Sequence, residues 1–212
     1  MTSITSFTFS PFQENTYVIS NEEGECWIID PGCYTEAERN QLASFIKSKQ
    51  LTPVKLLNTH CHLDHIFGNA FVADTYQLSP QWHEKETVIA ENAKMAAMMY
   101  GVNPPEYRTP GGFLKPGEFL TLGKASFEIL FAPGHSPGSV CFYNQEEGYA
   151  IVGDVLFRES IGRTDLPGGS HQALIQSIRT QLFTLPDDVK IYNGHGEPTT
   201  IGHEKKYNPF LR

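Results

Sequence analysis

The sequence predicts an α/β protein in which two mixed β-sheets are covered on their outer faces by helices. Two observations carry this. Short apolar runs bounded by turn residues recur along the chain and dominate both ends, and segments with apolar residues at helical spacing lie between them. The 212 residues are 40% hydrophobic and 19% charged, which suits a sizeable core and excludes a disordered or fibrous chain.

Buried strands are expected at 16–20, 26–30 and 54–58, and again at 125–132, 140–143, 150–153 and 189–193. Helical spacing marks 35–50, 65–76, 84–100 and 170–183. Residues 103–117 carry Pro104, Pro105, Pro110 and Pro116, which predicts a long loop of the kind that often rims a site. The wider segment 95–117 is the candidate rim. Met95, Met98, Met99 and Tyr100 within it suit either helix packing or a flexible apolar lip.

Charge and cysteine content narrow the functional classes. A net charge of −8 argues against a general affinity for nucleic acid. No apolar stretch is long enough for a membrane span, and the N-terminus lacks a basic segment followed by an apolar run, so neither a membrane partner nor a secretory signal is expected. Cys26, Cys33, Cys61 and Cys141 form no CxxC pair, which fits reduced thiols in a cytoplasmic protein. No oligomeric state is assigned.

The chemistry is concentrated in the histidines. Thr59-His60-Cys61-His62-Leu63-Asp64-His65 follows a strand-like run, so alternation points His60 and His62 one way and Cys61 the other. Asp64 and His65 can fold back beside them. Three imidazoles and a carboxylate within six residues suit zinc or iron better than calcium. Ile28-Ile29-Asp30-Pro31-Gly32, Ala132-Pro133-Gly134-His135 and Tyr192-Asn193-Gly194-His195 each place Asp or His at a tight break after an apolar run. Thr59 is expected to pack within its strand, and Cys61 to act as a small buried hydrophobe. His83, His171 and His203 lack ligand-like neighbours and are assigned to the surface or to a second layer.

The first of these motifs resembles the metal-binding signature of the metallo-β-lactamase superfamily. Gly134-His135-Ser136-Pro137-Gly138-Ser139, Gly153-Asp154-Val155-Leu156-Phe157 and Gly194-His195-Gly196-Glu197-Pro198-Thr199 follow in the family's order. The resemblance runs from about Asn15 to Leu211 and implies a four-layer αβ/βα sandwich, expected here as one domain over 1–212. It implies that His60, His62 and His135 hold one metal ion, that Asp64, His65 and His195 hold a second, and that Asp154 bridges them. Asp30 would hydrogen-bond a ligating imidazole and fix its tautomer. The implied cofactors are two divalent ions, zinc first, with iron or manganese as alternatives. With Asp64, Asp154 and a bridging hydroxide the centre keeps about one positive charge, which suits an anionic substrate.

Within the superfamily the chain resembles the short glyoxalase II-like (hydroxyacylglutathione hydrolase-like) branch. Gly162-Arg163-Thr164-Asp165 and Leu166-Pro167-Gly168-Gly169 carry that likeness, and Arg163 stands where relatives place a cation for a substrate carboxylate. The C-terminal helical domain with which longer relatives grip glutathione is not expected here, because only seventeen residues follow His195. The implied activity is a hydrolase in which a metal-bridging hydroxide attacks the carbonyl of a glutathione-type or other small anionic acyl-thioester, with Asp64 and Asp154 as catalytic groups. A mononuclear-iron persulfide dioxygenase is the alternative. That branch usually has Cys and an aromatic residue where this chain has Ile161 and Leu166. A lactonase or other small-ester hydrolase comes next. A non-enzymatic metal sensor is disfavoured, since structural metal sites are usually closed by protein ligands.

Overall fold

A computed structural model describes residues 1–212. The first sheet is built in chain order from β1 (Ser3–Phe9), β2 (Glu14–Ser20), β3 (Glu25–Ile29), β4 (Thr52–Leu57), β5 (Pro80–Trp82) and β6 (Gly112–Phe113). β1–β3 pair antiparallel and β3–β6 pair parallel. The second sheet begins with β7 (Phe119–Leu122), β8 (Ala125–Phe131), β9 (Val140–Asn144) and β10 (Tyr149–Gly153), all antiparallel neighbours. A small ribbon of β11 (Leu156–Phe157) and β12 (Ser160–Ile161) follows. β13 (Lys190–Asn193) then adds parallel to β10, and β14 (Thr199–Thr200) closes that edge.

The helices are α1 (Glu36–Ser48), α2 (Asn69–Tyr76), α3 (Thr87–Glu91), α4 (Ala93–Tyr100), α5 (His171–Ser177) and α6 (Ile201–Tyr207). None is long and apolar enough to cross a membrane. A capping box starts α1: Thr35 Oγ1 accepts from Glu38 N, and the Glu38 carboxylate accepts from Thr35 N.

Strand alternation explains the four layers. Tyr17, Ile19, Trp27 and Ile29 point inward and meet Phe127, Ile129, Phe142 and Ile151 of the second sheet. The intervening Val18, Cys26 and Ile28 point outward onto Leu42 and Ile46 of α1 and Val72 of α2. Leu130, Cys141, Ala150 and Val152 of the second sheet likewise meet Leu174 of α5 and Ile178 and Leu182 beyond it.

All the expected strands form, within a residue or two of their predicted ends. The helices differ more. The segment 84–100 breaks into a 3-10 turn at Glu84–Glu86, then α3 and α4, joined at Asn92. The segment 65–76 begins as a helix only at Asn69, after a separate 3-10 turn at Leu63–His65. The segment 170–183 ends in a π-helical turn at Ile178–Leu182. Met95, Met98 and Met99 are exposed, Met98 by 75%, so they do not pack in the core.

Trp27 and Phe127 join the two sheets with ring centroids 4.8 Å apart, and both are fully buried. Trp27→Ala is therefore expected to cost about 3–5 kcal/mol in denaturant unfolding. A loss below about 1 kcal/mol would show that the inter-sheet core does not depend on this contact.

Candidate metal centre

Parallel neighbours end at the same sheet edge, so residues just beyond them are delivered together. Asp30 follows β3, His60–His65 follow β4, Asp154 follows β10 and His195 follows β13. His135 lies in the turn between β8 and β9. The strand ends at Leu57, so His60, Cys61 and His62 are loop residues and not the strand extension expected from alternation. The directions still alternate. Cys61 is buried beside Leu63 and Trp82, while His60 and His62 face His135.

Two donor groups result. His62 Nδ1 lies 2.7 Å from His135 Nε2, which lies 3.2 Å from His60 Nε2. Across the site, Asp64 Oδ2 lies 3.2 Å from His195 Nε2 and 3.8 Å from His65 Nε2. Asp154 stands between the groups. Its Oδ1 is 3.3 Å from His65 Nε2, and its Oδ2 is 3.4 Å from both His135 Nε2 and His195 Nε2.

Acceptors behind the rings decide which nitrogen faces the centre. His135 Nδ1 donates to Arg163 O at 2.7 Å, and His195 Nδ1 donates to Gln13 O at 3.2 Å. His65 Nδ1 faces Asp30 Oδ2 at 3.1 Å. The Thr59 hydroxyl donates to Asp30 Oδ2, so it accepts from His60 Nδ1 at 3.1 Å. In each neutral ring the Nε2 lone pair is thereby turned inward. Thr59 is thus not a strand-packing residue: its backbone N–H and its hydroxyl both bind Asp30.

This donor set fits divalent cations. His65 Nε2 and Asp154 Oδ1 are buried and make no hydrogen bond, although buried polar atoms normally find a partner. Close approach is built into the backbone as well. A Cβ on Gly194 would collide with Asp154 Oδ1, and one on Gly153, at φ +51°, would collide with Thr59 Oγ1.

Electrostatics separate the two groups. Burial, with the neighbouring imidazoles, pulls His60 well below its ordinary pKa. Burial and His135 pull His62 down to about 3, and burial also lowers His135. These three are neutral at pH 7. Burial acts the same way on His65 and His195, but the carboxylates overcome it. Asp154 and Asp64 hold His65 well above its ordinary value, and hydrogen bonds to the same pair raise His195 to about 10.

Arg163 lies outside the cluster. Its guanidinium makes a bidentate pair with Asp165, 2.7 Å at each contact, beside Tyr100, while only its backbone carbonyl reaches His135. His171 is exposed, His203 pairs with Glu159, and His83 is buried against Phe131. Two buried carboxylates escaped the sequence reading. Glu14 Oε1 lies 3.9 Å from His65 Nδ1 and makes no hydrogen bond. Glu86 accepts hydrogen bonds from Cys61 N, Ser136 Oγ and Gly138 N.

Residues 9–195 match the family described as the Metallo-beta-lactamase superfamily. The chain belongs to that superfamily. It is 43% identical over 203 residues to Hydroxyacylglutathione hydrolase GloC of Haemophilus influenzae, covering 94% of this chain and 93% of that protein. Among solved structures it is similar to BLEG-1 B3 metallo-beta-lactamase, with a TM-score of 0.91, 38% identity and 99% of each chain covered. It is also similar to TTHA1623 in a di-iron-bound form, with a TM-score of 0.88, 37% identity and coverage of 98% of this chain and 100% of that one. The superfamily is one of metallo-hydrolases, and the four-layer fold and the His/Asp cluster of this chain agree with membership.

The raised pKa values of His65 and His195 carry a sign. Without a cation both rings are protonated at pH 7, and a cation at their Nε2 atoms must displace those protons. Calorimetry of zinc binding in buffers of different ionisation enthalpy should show release of about two protons per chain, with affinity rising as pH rises. No proton release at pH 7 would contradict the assignment of these rings to the cation.

Proposed function

We propose that this chain is a binuclear metallo-hydrolase acting on a small anionic acyl-thioester of the glutathione type. The observation that carries the reading is Asp154, whose two oxygens face imidazoles of both donor groups at 3.3–3.4 Å. One carboxylate so placed suits two ions a few ångströms apart. In this reading His60, His62 and His135 hold one ion, and Asp64, His65 and His195 hold the other. Asp30 fixes the His65 ring. Bound there, such a pair of ions supplies a nucleophile at neutral pH and polarises the attacked carbonyl.

The chain's own residues do the rest. Asp64 and Asp154 bring two negative charges against the four positive charges of two divalent ions, which leaves the centre attractive to an anion. The open side lies at His62 and His195, which are only partly buried. Phe157 borders His195 with ring centroids 6.1 Å apart. Phe12 and Tyr100 meet edge to face at 5.5 Å, and Arg163 stands beside Tyr100. In this reading Phe12, Tyr100 and Arg163 offer an apolar wall and a guanidinium, which suits an acyl chain with a carboxylate at its far end. The similarity to the Haemophilus hydroxyacylglutathione hydrolase supports the thioester assignment, and the di-iron-bound form of TTHA1623 keeps iron beside zinc as the bound ion. The one-domain organisation over 1–212 and a cytoplasmic location are part of the same proposal.

Metal-loaded protein should hydrolyse S-lactoylglutathione, and a chelator should abolish the turnover. Asp154→Asn should lose metal and at least about a hundredfold in kcat/KM together, while exposed His171→Ala changes neither. Full turnover by Asp154→Asn with both ions retained would remove the bridging role. Faster turnover of a persulfide, a lactone or a β-lactam than of any thioester would reassign the substrate.

Arg163 gives a separate test of substrate charge. A substrate carboxylate must compete with Asp165 for the exposed guanidinium, which limits the gain to about 1.4 kcal/mol. Arg163→Ala should raise KM about tenfold for an anionic thioester, leave a neutral one unchanged and spare kcat. Its backbone bond to His135 survives the substitution. Equal losses on both substrates would mean that the side chain organises the site.

A further inference from the structure

Glu86 ends the 3-10 turn that follows β5, the parallel neighbour of β4, so topology brings it beside the loop that follows β4. Its side chain is fully buried. Oε2 accepts from Cys61 N at 2.8 Å, and Oε1 accepts from Ser136 Oγ and Gly138 N, both at 2.6 Å. Cys61 stands between His60 and His62, and Ser136 follows His135. One carboxylate therefore joins the two loops that present three imidazoles to the same point. Backbone support between these two segments comes from Val140 N, at the start of β9, which donates to Thr59 O.

We propose that Glu86 is a positioning residue for the cation held by His60, His62 and His135. This rests on the reading that those three residues hold one. Its partners require an oxygen acceptor at both positions. Both oxygens face backbone N–H groups, which can only donate, so a neutral amide would set its own NH2 against one of them. All three partners of Glu86 are uncharged, and a buried carboxylate without a cation is costly. A cation on His60, His62 and His135, each adjacent in sequence to a partner of Glu86, supplies the missing positive charge. Room for Glu86 is kept by Gly138: a Cβ there would lie 2.9 Å from Glu86 Cγ and 3.0 Å from Oε1.

A role confined to packing would weaken both cation positions or neither. A clamp on the three imidazoles weakens one. The test measures zinc affinity by chelator competition in two backgrounds, His195→Ala, which keeps the three-histidine group, and His62→Ala, which keeps the opposite group. Glu86→Gln should raise the zinc Kd ten- to a hundredfold in the first background and less than about threefold in the second. Ser136→Ala, which leaves the carboxylate and its two backbone bonds, should act in the same background only and by about three- to tenfold. This milder variant decides the matter if Glu86→Gln does not fold. Equal shifts in both backgrounds, or no shift in the first, would overturn the proposal. Failure of the His195→Ala chain to bind zinc with Glu86 intact would overturn the metal assignment beneath it.

Discussion

Four imidazoles are held from behind by fixed acceptors, and the rest of the site depends on that constraint. His135 is held by Arg163 O, His195 by Gln13 O, His65 by Asp30, and His60 by Thr59, whose hydroxyl is itself committed to Asp30. Each bond takes up Nδ1–H and leaves Nε2 as the inward atom. The result is a converging set of ring nitrogens and carboxylate oxygens in which His65 Nε2 and Asp154 Oδ1 stay buried without a hydrogen-bond partner. A protein interior rarely retains such a set unless a cation or substrate completes it.

Asp30 is the node of this arrangement. Its backbone adopts φ +49°, uncommon for a residue with a side chain, and its carboxylate accepts from Thr59 N at 2.7 Å. The turn that places it there is crowded. A Cβ on Gly32 would collide with Glu14 Oε2, and one on Gly68 with Cys33 Sγ. Asn58 Nδ2 binds His65 O at 3.0 Å and pairs with Asn69, tying the same turn to α2. On the far side, Asn15 and the Tyr17 hydroxyl bind Asn193 O, and Asn15 N binds Gly194 O, so the first sheet steadies the loop that carries His195. The two halves of the fold meet through their polar strand ends as well as through the apolar layer between them.

What the sequence shows and what it hides follow from range. Continuous apolar runs such as 26–30 and 150–153 declare themselves because both faces are buried, one by the opposite sheet and one by a helix. β1, Ser-Ile-Thr-Ser-Phe-Thr-Phe, is a polar edge strand, and β5, β6 and β14 are only two or three residues long, so none has a pattern to read. The histidine motifs are legible because their donors are dense and local. Glu86 is not: its partners lie 25 and 50 or more residues away, and an isolated acidic residue in a helical stretch looks like surface charge. Thr59 is visible in its motif, but its value lies in a contact with Asp30, 29 residues distant, which strand alternation does not reveal. The methionines of α4 had the spacing of a packed helix. Their exposure is set by how α4 sits on Trp82 and Phe67 through its alanines, Ala93 and Ala97.

The proposed pair of cations is tested most directly by anomalous diffraction at the zinc edge from crystals of zinc-loaded protein. The account predicts two peaks about 3.5 Å apart, one beside His60, His62 and His135 and one beside Asp64, His65 and His195, with Asp154 between them. A single peak at full loading, or two peaks with Asp154 touching neither, would contradict it.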